Sequence, residues 1–220
     1  MTAKVPSSLE TWKSLLPPGI QMCAGEFSTD LLPLTPRELA SVGAISADRR
    51  QELQNGRTRA KHALAMFNLH DVDLPVGRDH LPVWPAGFTG TITHTRKHSK
   101  GYCAAAVARL EEFLALGIDV EYAVGLDPLD WPTVLTAREL SDIRNLPAND
   151  RASEAMRRWC VKEAMVKAVR CPLEPLVIET EKSEAGRYGL THKSGSPQGW
   201  HARTAHWGGL VFAAVAIPFR

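Results

Sequence analysis

Gly101-Tyr102-Cys103-Ala104-Ala105-Ala106-Val107-Ala108 returns 108 positions later as Gly209-Leu210-Val211-Phe212-Ala213-Ala214-Val215-Ala216, with five identities in eight. Both stretches are apolar runs opened by a glycine, the pattern of buried strands. The same shift lays Arg49-Arg50 on Arg157-Arg158, Arg59 on Lys167, Ala60 on Ala168 and His98 on His206, without a gap. One constant offset that aligns helix with helix and strand with strand points to two copies of one α+β unit. The expected fold class is therefore α+β: two similar α/β lobes from an internal duplication, residues 1–110 and 111–220, acting as a single functional unit.

The elements follow from local chemistry. Thr35-Pro36-Arg37-Glu38 and Thr136-Ala137-Arg138-Glu139 are capping boxes that open short helices, the second running to Asn145. Ser46 caps a long helix towards Leu69, with Leu53, Ala60, Leu64 and Phe67 on one face. The Pro- and Gly-dense stretch Pro75–Gly90 reads as a loop. Strands are expected at 91–95, 101–109 and 114–120. A helix from Asn149 or Asp150 ends near Arg170, with Pro172 as its stop. Residues 176–180, 187–190, 200–204 and 210–217 read as a closing antiparallel sheet, and 191–199 as a turn or loop.

Composition narrows the class. The chain has 220 residues, 44% of them hydrophobic, and no apolar run of the ~18 residues that a membrane span needs. Residues 1–16 lack the layout of a secretory leader, so a cytoplasmic protein with reduced cysteines is expected. Cys23, Cys103, Cys160 and Cys171 show no metal-ligand spacing, and Cys103 and Cys160 read as core. Residues 1–110 carry 13 Lys and Arg against 9 Asp and Glu; residues 111–220 carry 13 against 15. That excess is too small for a nucleic-acid binder, but it suits an anionic small ligand on the first half and a metal on the second.

Two acidic motifs carry the chemistry. Gly117-Ile118-Asp119-Val120-Glu121 reads as a buried strand ending in carboxylates at i and i+2, which point to the same face. Trp159-Cys160-Val161-Lys162-Glu163-Ala164-Met165-Val166-Lys167-Ala168 reads as a helix carrying a third carboxylate between two lysines. Three carboxylates form a hard-oxygen site for Mg²⁺, and the lysines suit the phosphates such an ion would bridge. Each segment alone also fits an ordinary surface: Glu163 and Lys167 are spaced as an i,i+4 ion pair.

Together the two motifs resemble the G-I-D-x-E … W-x-x-K-E-A-x-x-K-A signature of the phosphopantetheinyl transferases, with every defined position filled. Further stretches resemble the enterobactin-synthase-component-D-like (Sfp-type) branch: Arg49 to Ala60 against R-x-x-E-F-x-x-G-R-x-x-A, with Leu53 in place of Phe, and Pro82 to His94 against P-x-W-P-x-G-x-x-G-S-I-[ST]-H. Leu135-Thr136-Ala137-Arg138-Glu139 is similar to F-T-x-x-E. The similarity spans about residues 33 to 217.

The resemblance implies a pseudo-twofold pair of lobes with the site between them. It also implies transfer of 4′-phosphopantetheine from coenzyme A to a serine of an acyl or peptidyl carrier protein, releasing 3′,5′-ADP. Asp119, Glu121 and Glu163 would hold Mg²⁺; Arg49, Arg57, Thr93, His94, Lys162 and Lys167 would contact coenzyme A. The catalytic group would be Glu163, Asp119 and Lys167, with the serine proton going either to Glu163 or to a water. Arg78 and His80 both lie in the loop near the nucleotide; Arg78 is taken as a cofactor contact, with His80 as its alternative.

The apolar stretch Tyr122–Leu135 offers Leu126, Trp131 and Leu135 as a carrier-docking patch, or else as cover for the core of the second lobe. A monomer is expected, since a duplicated chain already supplies two lobes. The alternatives from other classes are a metal-dependent phosphohydrolase and a non-catalytic coenzyme A-binding module.

Overall fold

The computed structural model describes residues 8–98, 100–170, 178–183, 187–192 and 200–219. The chain runs α1 (Ser8–Leu15), β1 (Gln21–Glu26), α2 (Pro36–Ala40), α3 (Ala47–Ala65), β2 (Phe88–Lys97), β3 (Lys100–Arg109), β4 (Phe113–Tyr122), α4 (Trp131–Val134), α5 (Ala137–Arg144), α6 (Ala148–Val169), β5 (Ile178–Lys182), β6 (Tyr188–His192), β7 (His201–Trp207) and β8 (Leu210–Pro218). Pro172, residues 176 and 177 and the 193–199 part of the expected turn or loop lie outside the described residues. No helix among the described residues is long and apolar enough to cross a membrane.

Two antiparallel sheets share one plan. In the first, β3 lies between β1 and β2; in the second, β8 lies between β4 and β7, and the sheet continues through β6 to β5. Each central strand is the alanine-rich run, buried over residues 101–108 and 210–215 because a helix covers one face and the opposite sheet the other. Alanine at these positions lets the layers approach closely. α3 packs on the first sheet, with Leu53, Ala60 and Leu64 on its buried face, and α6 packs on the second. The shared plan is a strand, a capped short helix, a long helix and a hairpin, with β5 and β6 added in the second half.

The correspondence is not gapless, which corrects the single shift of 108. The hairpin-closing pairs Lys97–Lys100 and Trp207–Leu210 are 110 positions apart. The helices match at 101 instead. In the first half Glu38, buried in its capping box, accepts from Lys61 Nζ (3.0 Å) and Leu74 N (3.0 Å), while Arg57 Nε donates to Leu74 O (2.5 Å). In the second Glu139 accepts from Lys162 Nζ (2.6 Å) and Thr180 N (2.8 Å), while Arg158 Nη1 donates to Thr180 O (3.3 Å). A strand slipped by two residues keeps its face, and so does a helix slipped by seven, which is about two turns. The shift of 108 misses by these two amounts, so it matched buried faces while misaligning residues.

Besides the cluster under each long helix, one core is shared by the two halves. Trp12 and Leu15 of α1, Tyr102, Ala104 and Ala106 of β3, Ile118 and Val120 of β4 and Phe212 of β8 form one cluster. Trp12 meets Phe212 edge to face at 4.6 Å and donates to the Tyr102 hydroxyl (3.2 Å). Cys103 and Cys160 are buried core residues, and Cys103, Cys160 and Cys23 carry free thiols.

Candidate active site between the sheets

Three threonines join the two sheets where no backbone ladder does. Thr91, Thr93 and Thr95 alternate along β2, so all three face β4. Thr91 Oγ1 accepts from Ile118 N (3.3 Å), Thr93 Oγ1 donates to Asp119 Oδ1 (2.9 Å) and Thr95 Oγ1 donates to Glu121 Oε2 (2.8 Å). Asp119 is thereby fixed at 3% exposure at the seam. Gly117, two residues earlier, lets α6 close on β4: a Cβ there would overlap the Ala164 carbonyl. That contact brings Glu163 and Lys167 over the seam. Lys167 Nζ pairs with Asp119 Oδ1 and approaches Thr93 Oγ1 at 3.2 Å.

The electrostatics are those of crowded acid. Burial and the neighbouring Asp119 push Glu121 up to about 7, against the Thr95 hydrogen bond. Burial also raises Glu163, opposed by Lys167 and assisted by Asp119. Lys167 is held above its ordinary value because Asp119 and Glu163 outweigh its desolvation. Asp119 Oδ2 is buried without a hydrogen-bond partner among the described residues. As placed, no three His, Cys, Asp or Glu side chains among the described residues are close enough to hold a metal ion. The donor set still fits a hard divalent cation. An orphaned carboxylate oxygen and two further carboxylates under mutual repulsion gain most from one.

Beside the acids lies a cleft of about 140 Å³ lined by Arg49, Glu52, Arg57, His80, His94 and Lys167 among others. His94 comes from β2 one residue after Thr93, so it faces the opposite side, towards α3. Glu52 ties its polar groups together: it meets Arg49 Nη1 at 3.1 Å and His94 Nε2 at 3.3 Å. Burial lowers the His94 pKa; Glu52 opposes this, while Arg49 and Lys167 reinforce it. Arg57, 5% exposed, is lowered to about 10, chiefly by burial. No carboxylate among the described residues forms an ion pair with it. A buried cation of this kind on a cleft wall is an anion-binding group. A hollow of 430 Å³ behind α3 is larger, but its Lys61 is spent on Glu38.

Asp119, Glu121, Glu163 and Lys167 come together at the seam, and Arg49, Arg57 and His94 in the adjoining cleft, with Lys167 reaching both. Three expected contacts do not fit. Lys162 is fully buried, held by Glu139 (2.6 Å) and Val134 O (2.8 Å) on the far side of α6 from Lys167, so it locks helices together instead of meeting phosphate. Thr93 is 2% exposed and spends its hydroxyl on Asp119; it supports the acid cluster and does not line the cleft. Arg78 is exposed outside the cleft lining, whereas His80 is in it.

Leu135 is 1% exposed in a cluster with Val134, Ile143 and Ala155, and half-buried Leu126 and Trp131 pack against it, with Trp131 Nε1 donating to Leu126 O (2.9 Å). That patch is core at Leu135. The exposed apolar groups of the segment are Val124 (63%) and Leu129 (85%). The sequence reading passed over Glu52 and Thr95. The acid three residues after Arg49 and the threonine spacing of β2 were the available signals.

Residues 37–108 match the family model for the 4′-phosphopantetheinyl transferase N-terminal domain, and residues 115–216 the model for the 4′-phosphopantetheinyl transferase superfamily. The chain is 31% identical over 159 residues to 4′-phosphopantetheinyl transferase Npt of Nocardia iowensis, covering 71% of this chain and 68% of that one. It is 38% identical over 88 residues to the transferase Svp of Streptomyces mobaraensis, covering 40% and 34%. Against PptT of Mycobacterium tuberculosis the figures are 30% over 147 residues, 63% and 58%. Among solved structures, a holo-(acyl-carrier-protein) synthase of Bacillus anthracis in complex with CoA aligns with a TM-score of 0.43 at 22% identity, over 50% of this chain and 99% of that one.

Proposed function

Because the chain belongs to the 4′-phosphopantetheinyl transferase superfamily, we propose that it transfers 4′-phosphopantetheine from coenzyme A to a serine of an acyl or peptidyl carrier protein. The observation that carries this reading is the adjacency of the two half-sites: an acid cluster with an orphaned Asp119 oxygen, and a cationic cleft with Arg57 uncompensated, bridged by Lys167.

Arg57, Arg49 and His94 bind the phosphates of coenzyme A in the cleft. Asp119, Glu121 and Glu163 would hold Mg²⁺, which when bound offsets charge on the pyrophosphate. The carrier serine oxygen forms a bond to the phosphorus next to pantetheine, and the bridging P–O bond to 3′,5′-ADP breaks. Lys167 faces both the acids and the cleft, where its charge opposes the negative charge gathering on the leaving phosphate. The serine proton passes to Glu163, directly or through a water; a carboxylate raised by burial is suited to accept it. Val124 and Leu129, on the loop leaving Glu121, form an apolar lip for the carrier helix, with Trp131 partly exposed behind them.

Mass spectrometry of a purified apo-carrier after incubation with coenzyme A and Mg²⁺ tests the reading. The expected result is a mass gain of one phosphopantetheine group with release of 3′,5′-ADP. Free phosphopantetheine without a carrier would mark a hydrolase, and binding without any turnover a coenzyme A-binding module.

A further inference from the structure

The wall of the cleft opposite His94 is formed by residues 76–82, an irregular segment that contributes His80, Leu81 and Pro82. Short polar segments of this kind are normally the mobile part of a site. Here the base of the segment is pinned at two points, by Glu38 of α2 and by Ser41 at its C-cap. Leu74 N donates to Glu38 Oε1 (3.0 Å), and Val76 N donates to Ser41 Oγ (2.9 Å); Ser41 Oγ in turn donates to Glu38 O (2.7 Å). The other face of the same peptide, Leu74 O, receives Arg57 Nε. Val83 N to Pro75 O (2.9 Å) and Gly77 N to Leu81 O (2.8 Å) then close the loop back on its pinned base.

Glu38 is 1% exposed and does not line the cleft. Its carboxylate accepts from Lys61, Leu74 N and Thr35 N, which satisfies it fully. Lys61 therefore neutralises the acid that would otherwise be Arg57's natural counter-ion, and Arg57 keeps its charge for the cleft. The arrangement aims the guanidinium by its Nε while leaving its outer nitrogens for an anion.

We infer that Glu38, with Ser41, is a positioning residue for coenzyme A: it sets the place of Arg57 and of the 76–82 wall through the Leu74 peptide. This rests on the cleft being the coenzyme A site proposed above. Glu139 supplies the control, because it makes the same bonds to Lys162 and Thr180 N away from Arg57 and the 76–82 wall.

Coenzyme A dissociation constants by calorimetry, kcat and KM with an apo-carrier, and melting curves are compared for wild type, Glu38→Gln, Ser41→Ala and Glu139→Gln. Glu38→Gln is expected to raise Kd and KM for coenzyme A about tenfold, with kcat at saturation within twofold. Ser41→Ala, a smaller change on a partly buried turn, is expected to raise them about threefold with little change in melting. Glu139→Gln is expected to lower the melting temperature as much as Glu38→Gln while leaving coenzyme A Kd unchanged. Unaltered Kd in both Glu38→Gln and Ser41→Ala overturns the inference, as does a rise in Kd that tracks melting temperature across all three variants. Failure of the wild type itself to bind coenzyme A would instead overturn the proposed function.

Discussion

Leu53 on α3 and Glu154 on α6 hold the same place in the two halves, each one helical turn before a matched arginine. Leu53 precedes Arg57 and lines the open cleft. Glu154, 2% exposed, lies 3.5 Å from Arg158 Nε and also takes Arg157 (3.0 Å), Lys182 (3.0 Å) and the Tyr188 hydroxyl (2.8 Å). The second half thus carries a resident anion where the first leaves room for one. Leu53 against Glu154 is thus an apolar-to-acidic difference beside the matched arginines.

Leu53→Glu should therefore weaken coenzyme A binding by roughly thirtyfold, or about 2 kcal/mol, by giving Arg57 an internal partner. Arg57→Met should lose a similar amount by removing the cation. Calorimetry reads both; a Leu53→Glu protein that binds coenzyme A as wild type does would remove Arg57 from the anion site.

Glu154 also sets an acid limit on stability. Burial raises its pKa, but the Tyr188 hydroxyl, Lys182 and Arg157 together bring it below its ordinary 4.5. A depressed folded value means that its stabilising contribution is complete above about pH 4.5 and fades as pH falls through the folded value. Glu154→Gln should lower the melting temperature at pH 7, by about 3 kcal/mol of stability or roughly 6–12 °C. Below pH 4.5 the gap between variant and wild type should narrow. A gap that stays constant from pH 7 to pH 3 would contradict the assignment.

The two lysines of the motif helix should separate cleanly. Lys162→Met strands Glu139 in the core and should cost about 3–5 kcal/mol of stability, with coenzyme A affinity of the folded protein unchanged. Lys167→Met removes the ion-pair partner of Asp119 but lies a quarter exposed at the cleft, so it should cost less stability than Lys162→Met and lower kcat by at least tenfold. Denaturant unfolding beside single-turnover kinetics distinguishes them; equal effects on both readouts in both variants would refute the division of roles.

Much of this was legible in the chain because it rests on local rules. Both capping boxes and the hairpins declare themselves through Thr-x-x-Glu spacing and apolar runs, and the i,i+2 carboxylates fix the acid face of β4. Lys162 was misassigned because its partner Glu139 lies 23 residues away, and only the packing of α5 on α6 reveals that the lysine is spent. Thr93 was misplaced by one strand face: His94 points to the cleft, so its neighbour must point to the seam. α1 and β1 were missed. The helix is two turns long, and β1, among prolines and glycines, is a strand only because β3 offers it an edge.

Asp119→Asn and Glu163→Gln test the acid cluster. Each should reduce transfer by about a hundredfold or more, since a neutral amide is a poor ligand for a hard cation. Both substitutions keep the side-chain volume and relieve repulsion among the three acids, so melting temperatures should stay within a few degrees. Mg²⁺ titration followed by calorimetry gives an independent reading. Normal Mg²⁺ affinity in Asp119→Asn would exclude that residue from the ion.

The carrier lip gives the prediction that most directly replaces the patch read from sequence. Leu129 is 85% exposed and Val124 63%, so neither contributes much to the core, and Leu129→Ser should leave the melting curve nearly unchanged. If the carrier helix covers them, KM for the apo-carrier should rise about tenfold, the scale for losing one apolar anchor at an interface. Coenzyme A affinity, measured without carrier, should not move, because the lip does not touch the cleft. Leu135→Ala makes the contrast: at 1% exposure it opens a cavity against Ile143 and Ala155 and should cost about 2–5 kcal/mol, so both activities fall together as the protein unfolds. An unchanged carrier KM in Leu129→Ser and in a Val124→Ser/Leu129→Ser pair would place the carrier on another face.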